Sequence, residues 1–456
     1  MKESKKDKKP LPWWRRILLG LIVLAIALIG VTMLAGYFFK RQLGSEITKI
    51  SKAGEPIRFS DLEVSQLPNN SSEDAVGYYV DAMMSLSPER IANFSNANAF
   101  YRQNILSLTL EQFPSDMREQ LSQSISNFQP ALMRFDKGAT LPLYNFNLGI
   151  KQGRDVCIKR LGHIQVSTYL LSLRTLNLFL EGKEDVAAQS IINMLKFARV
   201  FETYPIMFLQ PHRGLLIGLA CEDIYLLLER GKISEEILAK LQQMVSESIH
   251  ENDLERMFFA ERAYQIEVGR NLFSQDIVSK LLASDIPDIP ERINLPTTSR
   301  GRLKLRYLAR QFFQDMSKLI KSSRKPWPAP FEVIEGDASQ PPSQKARLLT
   351  NAGFSVNIVA EILAAVRNTA TAIAIKRYYL SEGKLPDRLE NLLGKYIDII
   401  PVDPFTGKSL IYHQKEESFI IYSAGPNRKD DGGMILLTSD GKKPLDRGFR
   451  LHTKKQ

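Results

Sequence analysis

From Ile17 to Phe39 the chain runs for 23 residues without a charged side chain, and its only hydroxyls are those of Thr32 and Tyr37. A helix of that length, rising about 1.5 Å per residue, measures about 34 Å and covers a hydrocarbon layer of about 30 Å. Trp13 and Trp14 precede the run and Tyr37 stands near its end, where rings with one wet edge prefer the interface. Residues 1–16 hold seven Lys and Arg against Glu3 and Asp7, whereas only Lys40 and Arg41 follow the run directly. The positive-inside rule then makes 1–16 a cytoplasmic basic tail, 17–39 a transmembrane helix, and everything from residue 42 extracytoplasmic. A single-pass protein of the bacterial inner (cytoplasmic) membrane is the expectation. The competing reading is a cleaved signal peptide, since Met33-Leu34-Ala35 before Gly36 weakly resembles a cleavage site, but the run exceeds the roughly 7–15 residues of a signal core. A buried soluble helix would have to be apolar on every side behind a strongly basic start.

The anchor also changes how the net charge of +11 is read. Much of the excess sits beside the apolar run and in residues 300–325, where nine Lys and Arg face only Asp315. The remainder is slightly acidic, so the pattern excludes a generally basic nucleic-acid-binding surface. With 44% hydrophobic residues and only 2 Cys, the chain is neither disordered nor disulfide-dense.

Residues 42–285 read as an extracytoplasmic helical body. Apolar residues recur at helical spacing over Leu161 to Glu181, Asp185 to Phe201, Leu215 to Leu228 and Glu235 to Ile249, with Gly182-Lys183 and Gly231-Lys232 as stops and Ser234 as a cap. Short connections imply antiparallel neighbours. Glu181 to Ala188, between two amphipathic helices, resembles the turn region of tetratricopeptide-type repeats, although no 34-residue period is present. That resemblance implies a curved surface for a protein partner; a plain helical bundle is the alternative. Cys157 and Cys221 are read either as a disulfide or as two buried thiols. Residues 286–345 form Pro-containing linkers flanking a basic amphipathic helix, 302–322, with Leu305, Leu308, Phe312, Met316 and Leu319 on one face and Arg302, Lys304, Arg306, Arg310 and Lys318 on the other. Such a helix suits an anionic membrane surface, an acidic partner, or packing on the array with its basic face in solvent.

Residues 355–456 change character. A long helix carries Ile358, Ile362, Val366, Ala370 and Ile373 on one face, and Gly383 and Pro386 break it. A short Leu389–Leu393 helix follows, then a rigid Pro401-Val402-Asp403-Pro404-Phe405-Thr406-Gly407 turn, then a hairpin of Ser409 to His413 with Phe419 to Ser423. This order of turns, ending in Ser423, Gly425, Pro426 and Asn427, resembles the globular domain of the type II secretion major pseudopilin over about 80 residues. The resemblance implies a small C-terminal α+β domain with an antiparallel hairpin and a calcium loop, for which Asn427, Asp430 and Asp431 are the matching oxygen donors. Arg428 and Lys429 lie beside them, and a solvated turn is the alternative. A pseudopilin places its membrane segment directly before the long helix; here the two are more than 300 residues apart. The resemblance therefore implies a shared fold more than a shared task. The whole arrangement resembles uncharacterised single-pass bacterial envelope proteins.

Catalytic spacing is sparse. None of His163, His212, His250, His413 and His452 falls in a zinc-protease pattern. Thr406-Gly407-Lys408-Ser409 mimics the end of a phosphate loop, but Val402 replaces the earlier glycine, so no nucleotide is expected. The reading is mainly α: an anchored scaffold or docking protein with a protein partner, connected to secretion or envelope assembly. The alternative is an envelope hydrolase using His163 or His212 with Glu222 or Glu261.

Overall fold

The computed structural model describes residues 30–31, 34–35, 37–38, 40–62, 74–107, 112–143, 154–202, 205, 207–273, 299–335, 344–435 and 446–452. The basic tail and most of the Ile17–Phe39 run lie outside the described residues; those of the run that are described are helical, and so are residues 40–52, the leading helix.

The described chain is mainly helical with a small C-terminal sheet. In order come α1 (Ala75–Met84), α2 (Ile91–Ser107), α3 (Ser115–Ser126), α4 (Gln129–Ala139), α5 (Arg154–Leu180), α6 (Glu184–Ala198), α7 (Gln210–Arg230), α8 (Glu235–Ser246), α9 (Asp253–Phe273), α10 (Ser299–Ser323), α11 (Ala329–Glu335) and α12 (Gln344–Glu382). Strands β1 (Ile411–Lys415), β2 (Ser418–Ser423) and β3 (Arg447–His452) make one antiparallel sheet in that order. A hairpin forms where one is expected, but its first strand is Ile411–Lys415 rather than Ser409 to His413, with a tighter turn; the third strand, aligned with Phe419 opposite Leu451 and Ile421 opposite Phe449, is an addition.

Local chemistry places the helix ends. The Asp74 carboxylate accepts from the Val76 amide at 2.6 Å and starts α1. Gly182, at φ +71°, closes α5: its amide reaches Phe179 O and the Lys183 amide reaches Leu178 O, so the last carbonyls are satisfied through a left-handed residue. Ser234 stands at the N-cap of α8, but its hydroxyl makes no capping bond, and Glu235 and Glu236 supply the favourable charge in the first turn.

Helix α6 packs on α5, α7 and α8, with α1 to α4 over one side and α12 laid along α7 and α8 on the other. Helix α12 is long and apolar enough to cross a membrane by length and composition, yet 72% of that window is buried within the protein. Ala360, Leu363, Ala364, Ile373 and Ile375 pack it into a single apolar core that runs from Ala75 to Leu451 and includes the sheet residues Phe419 and Ile421. Polar contacts stitch the same seam: Arg377 donates to Glu235 at 2.9 Å and to Gln242 at 2.8 Å, and Gln242 donates to Tyr396 O at 2.6 Å.

Of the segment expected as a second linker, the described residues 325–335 contribute to this core. Trp327 and Phe331 are buried, and Phe331 stacks on the fully buried Phe405 with centroids 5.8 Å apart. Gly407, at φ +72°, lies where an added Cβ would come within 2.9 Å of Pro328 Cδ, so the turn needs glycine both for conformation and for room. Asp403 organises that turn: Oδ1 accepts from the Phe405 amide at 3.0 Å and Ser423 Oγ at 2.6 Å, Oδ2 from Thr406 Oγ1 at 2.9 Å and the Ala424 amide at 3.2 Å. Apart from this core, Ile50, Ile266 and Phe313 form a second small cluster in which the leading helix meets α9 and α10.

Candidate functional site

Helix α7 ends at Arg230, and Gly231 closes it with its amide 2.8 Å from Leu227 O. The end of α7, the loop to α8, the last turns of α12 and the final residue of β3 surround a cleft of about 540 Å³. Leu227, Leu228 and Leu238 give it an apolar wall, while Lys232, Lys376 and Tyr379 bring polar groups to it.

Glu229 ties the sheet to the array. One carboxylate oxygen accepts from the His452 amide at 2.9 Å, and the other lies 2.7 Å from His452 Nδ1. The carboxylate thus terminates β3 and orients the imidazole; with Nδ1 donating, Nε2 carries the free lone pair of the neutral ring. Lys376 is half-buried, and burial pulls its ammonium below the usual lysine range, opposed by the Glu229 charge. Among the described residues Lys376 makes no hydrogen bond or ion pair. A partly desolvated cation beside a leucine wall is suited to a carboxylate attached to an apolar segment.

The histidines singled out by sequence lie elsewhere. His163 Nδ1 is 2.8 Å from Leu86 O and 3.1 Å from Met83 O, which fixes the ring between α5 and the end of α1. His212 is held below the usual histidine range by burial. Glu222 pairs with Arg102 at 3.2 Å, and burial raises Glu261, with Gln265 donating to it at 3.0 Å. These groups do not form one cluster by any recorded contact.

A different acid is strongly perturbed. Asp223, fully buried in α7, is pushed up to about 6 by burial despite Arg102, whose Nη2 lies 2.7 Å from Oδ1. Asn98 and Ser172 complete a network between α2, α5 and α7, and Oδ2 of Asp223 is buried without a hydrogen-bond partner among the described residues. Cys221, one residue before Glu222, is a free thiol raised to about 12 by burial, so it is inert at neutral pH. Cys157's side chain lies outside the described residues.

The predicted calcium donors are brought together but are already engaged. Asp431 Oδ2 accepts from Asn427 Nδ2 at 2.6 Å, Asn427 Oδ1 accepts from the Lys429 amide at 3.0 Å, and Asp430 Oδ1 accepts from Tyr422 OH at 2.8 Å and the Gly432 amide at 2.9 Å. These bonds lower the Asp430 carboxyl. Arg428, at φ +58°, turns its guanidinium over the Phe331 ring at 4.4 Å. Asp446, which sequence reasoning passed over, accepts from the amides of Asp431, Gly433 and Met434 and so closes the loop on protein donors. In this arrangement Asn427 Oδ1, Asp430 Oδ1 and Asp431 Oδ2 each face a protein donor. No group of three or more His, Cys, Asp and Glu suited to a metal occurs among the described residues.

Glu229, Lys376 and His452 had no sequence signal, since they come from three elements as much as 223 residues apart. Comparison with protein-family models, with characterised proteins and with solved structures gives no match for this chain.

Proposed function

We propose that the chain is a single-pass, membrane-anchored extracytoplasmic docking protein, of the kind that serves secretion or envelope assembly, and that its partner segment enters the Lys376 cleft. The observation that carries the reading is the unpartnered, half-buried Lys376 cation against an apolar wall at the seam of the array and the C-terminal unit. The anchor is supported by Val31, Leu34, Tyr37 and Phe38, large apolar side chains of the Ile17–Phe39 run that the protein leaves 60–70% exposed. The order of α12, its Gly383 to Pro386 break, the Asp403-centred turn and the antiparallel sheet supports a pseudopilin-like fold for the C-terminal unit.

The partner is best described as a protein segment presenting a carboxylate beside apolar side chains. The test is in-cell crosslinking from a photoreactive residue at position 379, followed by mass spectrometry. The same adduct is expected in replicate cultures and is expected to fall at least ~5-fold in Lys376→Glu, which reverses the charge at the cleft. Adducts that do not recur, or one that Lys376→Glu leaves intact, contradict the reading. A hydrolytic role would now rest on the His452–Glu229 pair; turnover of a substrate lost in His452→Ala with the adduct retained would favour it.

A further inference from the structure

The leading helix stops with the Glu55 amide on Ile50 O at 3.2 Å, and Pro56 prevents its continuation. Glu55 is thereby set between two arginines of the body. Its Oε2 lies 2.9 Å from Arg262 Nη1 on α9, and its Oε1 lies 3.2 Å from Nη2 of Arg324, just after α10. Both guanidinium groups lie against the Phe259 ring, 5.4 Å and 5.6 Å from its centroid. Arg324 has a second acid, Glu255, 2.6 Å from its Nε. Arg262 is less well served. Its side chain is fully buried, Ser317 Oγ stands 3.5 Å from the already engaged Nη1, and Nε and Nη2 are buried with no hydrogen-bond partner among the described residues. Those two nitrogens form the edge of a guanidinium that takes two oxygens of one anion in parallel. A buried donor pair without acceptors is an unmet demand of the body, and Glu55 does not meet it.

We propose that Arg262 and Arg324 form a site for a phosphate group in which Glu55 is the built-in occupant, and that a free phosphate group displaces Glu55 and releases the leading segment from the body. A carboxylate offers two oxygens and one charge, and here both oxygens are engaged, one on each arginine. A phosphate group offers more oxygens and up to about two charges, enough to keep both contacts and to serve Nε and Nη2 of Arg262 as well. The occupant is also lightly held. Besides Glu55, the leading segment rests on the small cluster of Ile50 with Ile266 and Phe313, and on side-chain bonds from Arg310 to Gln42 and Gln314 to Glu46. Ile266 stands one turn beyond Arg262 on α9, so lifting the segment off this face uncovers the guanidinium edge. The anion then binds the lifted state in preference to the closed one and draws the equilibrium toward release. In the anchored arrangement this segment is the stem between membrane and body, and release frees the body to turn on it; that consequence rests on the anchored reading, whereas the site itself does not.

The test is amide exchange of the full-length protein in mild detergent, read in residues 40–57 with and without inorganic phosphate. Exchange there is expected to rise ~5-fold at a phosphate concentration about four times the dissociation constant of the lifted state, because the lifted population grows as one plus that ratio. Helices α7 and α12 are expected to keep their protection. Sodium chloride at the same ionic strength, and acetate at the same concentration, are expected to give less than ~2-fold. Arg324→Gln, at a position 46% exposed whose loss leaves the core intact, is expected to lose the phosphate response. Glu55→Gln, which removes the competing carboxylate, is expected to bind inorganic phosphate at least ~5-fold more tightly than the unsubstituted protein in a calorimetric titration. No acceleration by phosphate, an equal acceleration by chloride or acetate, or a response that Arg324→Gln retains overturns the proposal. Acceleration throughout the body, which is unfolding rather than release, overturns it too. Equal or weaker phosphate binding by Glu55→Gln removes Glu55 as the occupant and has the same consequence.

Discussion

Two buried arginines mark two very different joints. Arg213 sits in the main core, donating to Asp253 at 2.9 Å and Ser248 O at 2.7 Å, with both members of the pair almost fully buried. Arg262 is as buried, but its carboxylate, Glu55 at 2.9 Å, arrives from the leading segment and is itself shared with the exposed Arg324 at 3.2 Å. Arg213 joins α7 to α9 within the continuous core, whereas Arg262 reaches Glu55 and lies over the Phe259 ring at 5.4 Å. The first joint belongs to the cooperative fold. The second attaches the segment that leads to the anchor, through a few apolar contacts and charges, so it can open without unfolding the body.

The largest expected effect breaks the first joint. Asp253→Ala leaves the Arg213 guanidinium buried without its counter-charge and should cost about 3–5 kcal/mol of global stability, read from the midpoint of chemical denaturation. An unchanged midpoint would mean that water reaches Arg213.

Next comes the buried acid of the main core. Burial raises Asp223 to about 6 from the ordinary aspartate value near 3.8, so the folded state holds a proton that the unfolded state releases between those values. Its favourable contribution is complete below about pH 4 and is lost as pH climbs through 6, by at most about 3 kcal/mol. Asp223→Asn should remove that slope between pH 4 and 7, and Arg102→Ala should steepen it. Denaturation midpoints measured across this range decide the matter; a slope that Asp223→Asn leaves unchanged assigns it elsewhere.

The smallest global effect belongs to the second joint. Glu55→Gln should lower overall stability by about 1 kcal/mol or less, because Glu55 is partly solvated and the leading segment is peripheral. Amide exchange in residues 40–57 should nonetheless accelerate about 10-fold, while α7 and α12 keep their protection. Acceleration throughout the body would show that the two joints are one cooperative unit.

Much of the array was legible because its signals are local. The 3.6-residue recurrence of Ile358, Ile362, Val366 and Ile373 located α12, Gly182 marked a helix stop, and the run from Pro401 to Gly407 announced a rigid turn. Proline density misled at residues 325–335, where Trp327 packs on Phe331 and Phe331 on Phe405: Pro signals an irregular backbone and says nothing about whether aromatic neighbours find a core. Ser234 carried the right position and the wrong chemistry, since its capping bond is not made. The cleft was illegible, because Glu229, Lys376 and His452 each look like an ordinary helix or strand residue until α12 and β3 close on α7. Asp446 was hidden in the same way, its role being set by amides of a loop more than ten residues earlier.

The anchored, outward-facing arrangement is tested most directly by where the chain is held. Spheroplast membranes carrying the full-length protein should be washed at alkaline pH, and intact spheroplasts treated with external protease. The protein should stay in the membrane pellet, and the protease should cut it in the body while sparing the N-terminal tail. Recovery in the alkaline supernatant, or a body that the protease cannot reach until the membrane is lysed, would contradict the anchored, outward-facing arrangement.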